Sequence, residues 1–150
     1  MTNPLTFAST TPNVGLPLLI AGQAQKEFFV NQGLAVLDAL QPGAVQASLP
    51  QPPTLPDEGD CYRVTAPALL GWAGCEDHLA IRIGGSWHFI PPQDGMTLFD
   101  RAADTRLFFQ SGWQNAQAPA IPSGGAVIDV EARAAIAQLI EALREGGLLG

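Results

Sequence analysis

Positive charge is scarce in this chain. Its 150 residues carry seven basic side chains against fourteen acidic ones, a formal net charge of −7. Lys26 is the sole lysine, and the six arginines are scattered. Binding to nucleic acid needs clustered lysine and arginine to displace the counterions of the phosphate backbone, so such a partner is excluded. Charge of either sign is low, 14% of residues against roughly 25% in an ordinary domain. Neutral polar and small residues must therefore dress the surface, as in proteins packed into assemblies and in many secreted ones.

Other absences narrow the field further. Met1 to Thr11 has neither a basic region nor an apolar core, so no secretory signal is expected and synthesis in the cytoplasm is. The apolar stretch Val14–Ile20 contains Pro17 and is far short of the ~20 residues of a membrane helix, so no membrane insertion is expected. Two cysteines, Cys61 and Cys75, are too few for a disulfide framework and lack metal-site spacing. Both are expected as buried thiols, and no metal or cofactor is expected. Neither Gly84-Gly85-Ser86 nor Ser123-Gly124-Gly125 has the lysine or the strand–loop–helix setting of a phosphate cradle, and Gly22 to Lys26 is a lone helix start.

What is present is a repeated pattern of apolar run, glycine turn and tryptophan. It reads Gly71-Trp72-Ala73-Gly74, then Leu79–Ile83 and Trp87–Ile90 around Gly84-Gly85-Ser86, then Arg106–Gln110 and Ser111-Gly112-Trp113. Such spacing predicts consecutive β-hairpins. With Cys61–Val64 and Met96–Phe99 it gives an antiparallel meander of about five to six strands. Before it, Ala24, Phe28, Leu34, Leu37 and Leu40, with Val30 and Ala35, keep helical spacing up to the stop at Pro42-Gly43. Gly33 makes a break there conceivable. Four prolines between Ser48 and Pro56 predict an extended crossing segment, with a PxxP ligand as its minor alternative.

The last helix is the clearest. Asp129 is a good N-cap, Glu131 suits the first turn, and Gly146-Gly147 is a stop. Ile136, Leu139, Ile140 and Leu143 form an apolar stripe too short for a coiled coil alone. It must pack on its own domain or on copies of itself, which makes these four the expected oligomerisation residues. The organisation expected is a flexible arm over residues 1–14, a helix-plus-meander domain over 15–115, a linker over 116–128 and a C-terminal helix over 129–147. The fold class is α+β.

Chemical groups are weaker signals. The acids Asp57, Glu58 and Asp60, and Glu76 with Asp77, lie where turns are expected, and Asp is a preferred turn former. His78 and His88 lack an orienting carboxylate at sequence range. Neither cysteine sits in the signature of a cysteine enzyme. No catalytic residue is therefore assigned. Trp72, Trp87 and Trp113 are left as candidates to stack on sugar rings, against the plainer reading that they pack a core or an interface.

The segment Gly15 to Glu27 with Asn31 and Leu37–Leu40, followed by Gly59-Asp60, Gly71–Gly74, Ile81, Gly85–Phe89, Pro92 and Gly95, resembles the domain of unknown function 2793. The likeness covers roughly residues 15–115. That family usually has histidine where Cys75 or Glu76 stands here. The resemblance implies a non-enzymatic tail-fibre or spike component of a phage, prophage or gene transfer agent. A homo-oligomer is expected, a trimer by analogy with fibre proteins, assembled with other particle proteins into a phage-like particle. The alternative is a module that binds a host surface glycan.

Overall fold

A computed structural model describes residues 9–20, 22, 26–121, 123, 129–146 and 148–149. Among them are two α-helices, eight short strands and one 3-10 turn, an α+β fold. The chain forms two compact units, Met1–Pro92 and Gln93–Gly150. Residues 1–8 of the expected arm, Ala24 of the expected helical stripe, Gly124 to Ile128 of the linker and Gly147 of the helix stop lie outside the described residues.

In the first unit, helix α1 (Lys26–Leu40) precedes strands β1 (Ala44–Val45), β2 (Ser48–Leu49), β3 (Cys61–Val64), β4 (Leu79–Ile83) and β5 (Ser86–Ile90). Strand order in the sheet is β2-β3-β4-β5. The β4–β5 hairpin closes with Ile83 opposite Ser86. Its two-residue turn needs positive φ at both positions, and Gly84 (+59°) and Gly85 (+75°) supply it. β2 departs from the expected antiparallel meander: it runs parallel to β3, Ser48 against Arg63 and Leu49 against Val64. The prolines that follow, having no N–H, end the ladder after two residues.

A ring cluster fills this unit. Trp72, on the 3-10 turn Leu70–Trp72, is 0% exposed. It meets Trp87 edge-on at 5.1 Å and Tyr62 at 6.0 Å. Val64, Ala68 and Ala80 complete the buried set, with Leu49 and Phe89 packed beside it. Such contacts add about 0.5–1.5 kcal/mol per aromatic pair beyond burial itself. The guanidinium of Arg82, paired with Trp87 across the hairpin, covers that indole at 5.4 Å.

Helix α1 runs unbroken through Gly33. Its orientation corrects the expected apolar face. Phe28, Val30 and Leu37 are exposed, and the enclosed residues are Asp38 and Ala39. Leu34, Ala35 and Leu40 are half-buried, and Asp38 turns inward because it is hydrogen-bonded to the chain that precedes the helix, as the next subsection describes.

In the second unit β6 (Thr97–Asp100), β7 (Thr105–Phe109) and β8 (Trp113–Gln114) pair antiparallel in sequence. Buried Asp100 forms the β6–β7 turn by accepting from the amides of Ala102 and Ala103. Asp94 accepts from the Ser111 amide at the next turn. Helix α2 (Val130–Glu145) begins where Asp129 accepts from the Ala132 amide at 2.8 Å.

Tyr62 is the single tyrosine, which makes its environment measurable. Burial, a hydrogen bond to Asp60 at 3.0 Å and the charges of Asp60 and Asp57 push its phenol up to about 12. A raised folded pKa gives stabilisation that is full below the ordinary value near 10 and is lost as pH rises through about 12. An ultraviolet titration should show no phenolate until well above pH 10, and Asp60→Asn should lower the midpoint by about one unit.

Candidate functional site

Residues 9–20 fold back on themselves instead of trailing as an arm. Thr10 bridges to Pro17, the Thr11 amide donates to the Leu16 carbonyl, and Gly15 turns the chain at φ +73°. Helix α1 holds this strap at two positions. Asp38 Oδ1 accepts from the Thr11 hydroxyl at 2.6 Å and the Val14 amide at 2.7 Å, and Oδ2 accepts from the Asn13 amide at 2.9 Å. Nearer the helix start, Asn31 accepts from the Leu19 amide at 2.8 Å and donates to the Leu19 carbonyl at 3.0 Å. Asn31 and Asp38 are seven residues apart, two helical turns, and therefore share one face.

The opposite side of the strap rests on the turn before β3. Gly59 has φ +85°, donates its amide to Arg82 and accepts from the Asn13 side chain at 3.2 Å. A Cβ there would lie 2.3 Å from Pro12 Cγ. Glycine is required both by conformation and by this close approach.

Strap, α1 and the β4–β5 hairpin together enclose a groove of about 780 Å³. Leu18, Leu19, Phe28 and Ile83 form its apolar lining, and Glu27, Gln32, Glu58, Ser86 and His88 its polar lining. Gln32 Nε2 lies 3.3 Å from His88 Nδ1. The Glu58 carboxylate accepts from the amides of Gly84 and Gly85, which fixes it at the hairpin end of the groove. Neither lysine nor arginine lines it among the described residues.

The residues singled out in the sequence are distributed differently. Trp72 is enclosed and has no face for a sugar ring; Trp87 is half-buried against it. Trp113 belongs to the second unit, edge-on to Phe109 at 5.3 Å. Of the α2 stripe, Ile140 is buried and Leu143 half-buried, while Ile136 and Leu139 stay exposed. Ile140 is thus already committed to the fold of its own chain. Cys61 is buried and Cys75 half-buried, with no disulfide between them. No metal-holding group of His, Cys, Asp and Glu occurs among the described residues, and no helix among them is long and apolar enough to cross a membrane.

Glu76 and Asp60 tie down backbone and side-chain groups around them. Glu76 accepts from the Ala68 amide at 3.1 Å, and hydrogen bonds from its own amide and that of Ala68 hold it below the usual carboxylate range. His78 contacts the Glu76 carbonyl at 2.9 Å. Asp60 gathers the Gln46 side chain, the Asp57 amide and the Tyr62 hydroxyl. Sequence reasoning gave no role to Asn31 and Asp38, which hold the strap, or to Gln32, Glu58 and His88, which line the groove. The available signal was the polar pair Asn31 and Asp38 at helical spacing within an apolar segment.

Burial pushes the Asp38 carboxyl up, but the hydrogen bonds from Thr11, Val14 and Asn13 outweigh it and hold the group below its ordinary 3.8. A lowered folded pKa gives stability that is present above about pH 4 and is lost as pH falls through the folded value. The Asn13 and Val14 amide resonances should therefore titrate together with a midpoint below 3.8. Asp38→Ala should cost about 3 kcal/mol in denaturant unfolding, since charged hydrogen bonds contribute 1.5–3 kcal/mol each and part is regained from desolvation. Gly59→Ala should cost about 1–3 kcal/mol and expose residues 9–20 to limited proteolysis.

A comparison with curated proteins finds no match for this chain. A family model, described as a protein of unknown function (DUF2793), matches residues 30–114. That span begins inside α1 and runs through β8, so it includes Asn31, Asp38, Gly59, the glycine hairpin and all three tryptophans. It covers more than half of the chain, which therefore belongs to the DUF2793 family.

Proposed function

We propose that this protein is a non-enzymatic structural subunit of a phage-derived particle, of the tail-fibre or spike kind, and that it self-associates. The observation that carries the reading is the exposure of large apolar side chains on both helices. On α1, Phe29 is 74% and Leu37 61% exposed, with Val30 beside them; on α2, Leu139 is 60% exposed, with Ile136 and Val130. Phe29, Val30, Gly33 and Leu37 recur at helical spacing and form one outward stripe. Contiguous apolar stripes mark surfaces that another protein covers. The low charge of the chain supports the same reading, because an assembled surface needs little charge for solubility.

Native mass spectrometry and light scattering of the full chain should give a multimer. Leu37→Asp and Leu139→Asp, both at exposed positions, should leave the fold intact. Whichever helix is at the interface, its variant should weaken association by about 2 kcal/mol, roughly thirtyfold in Kd. A chain that is monomeric at every concentration, with both variants indistinguishable from it, overturns the assembly reading.

A further inference from the structure

We propose that the groove beneath the strap is a binding site for a neutral oligosaccharide. It is a carbohydrate site distinct from the tryptophans, and it does not rest on the assembly reading above. A cavity of about 780 Å³ lies within the ~300–1,000 Å³ range of small-molecule sites. The lining is amphipathic in the way a pyranose is. Leu18, Leu19 and Phe28 offer apolar surface to ring C–H groups, and Gln32, Glu58 and His88 offer hydrogen-bonding atoms to hydroxyls.

Charge selects among ligands. With Glu27 and Glu58 on the lining and no lysine or arginine among the described residues there, an anionic ligand is disfavoured relative to a neutral one. Glu58 is held by the two hairpin amides, and a carboxylate has about four acceptor positions, so further ones remain for hydroxyl donors. Gln32 and His88 are within reach of each other through one nitrogen apiece, which orients the amide and the imidazole while leaving their other polar atoms for a ligand. The site is also built before any ligand arrives, because Asp38 and Asn31 fix the strap and the glycine turn fixes Glu58. Preorganisation of this kind lowers the entropic cost of binding.

The test uses the full chain on a printed array of neutral, acidic and amine-bearing glycans, followed by calorimetric titration of each hit, with spermidine as a cationic probe. Neutral oligosaccharides should be retained. Phe28→Ala and Gln32→Ala should each weaken the hit at least tenfold, while Leu55→Ser, at an exposed position off the groove, should leave it unchanged. Circular dichroism should show all three variants folded, since Phe28 is 68% exposed and Gln32 is only half-buried. Retention of no neutral glycan, binding of acidic glycans or spermidine alone, or a neutral hit that both groove variants leave unchanged overturns the proposal.

Discussion

The carboxylate of Asp38 has been taken out of water, and the rest of the first unit is arranged around that fact. Removing an ion from water costs several kcal/mol even after the protein relaxes. A single hydrogen bond to a charged group returns about 1.5–3 kcal/mol, so one partner does not offset the burial and three do. Thr11, Asn13 and Val14 all supply theirs, and a segment that directs a hydroxyl and two amides at one carboxylate has little conformational freedom left. The strap is therefore as well defined as a strand without being one. Its Thr11 hydroxyl also accepts from the Leu16 amide at 2.8 Å, which carries the same constraint into its own turn.

From the strap the constraint passes to the sheet. Asn13 and Pro12 press on Gly59, and Gly59 donates to Arg82 on β4. The Arg82 amide in turn donates to Asp60, whose side chain holds Tyr62. Tyr62 stands in the ring cluster with Trp72 and Trp87. A polar node on a helix and an aromatic core on a sheet are thus joined through one turn, Asp57 to Asp60. Of the acids in that turn, Asp60 makes this connection.

This explains what the sequence disclosed and what it did not. Strands β3 and β4 are legible to the residue because alternation, β-branched side chains and the Gly84-Gly85 turn are local signals. The Asp129 cap of α2 is legible for the same reason. The strap is not, because its bonds to α1 join residues 12 to 27 positions apart and no local pattern encodes them. The same is true of β2, two residues recruited by a distant parallel neighbour. The face of α1 is legible only in part for a related reason: Leu34, Ala35 and Leu40 are half-buried as the spacing predicts, but Phe28, Val30 and Leu37 are exposed, because hydrophobic periodicity assumes that apolar residues point inward. Here hydrogen bonding outweighs it, and His88 and Gln32 of the groove, 56 positions apart, were invisible to spacing altogether.

The orientation of α1 has a consequence for the proposed assembly. With Asn31 and Asp38 turned to the strap, Phe29, Val30 and Leu37 lie on the outer side of α1, while Leu34 and Leu40 are half-buried. A fully buried Phe or Leu contributes about 1.5–3 kcal/mol relative to an exposed one, and Phe29 and Leu37 leave most of that uncollected. A chain under selection for stability alone would carry polar residues there at no cost to the strap. Successive helical residues turn by about 100°, so Leu37 and Asp38 look in well-separated directions. A partner on the Phe29–Leu37 stripe can therefore gain that burial while the Asp38 bonds and the groove beside Gln32 keep their geometry. The proposed association surface and the proposed ligand groove thus lie on different sides of one helix.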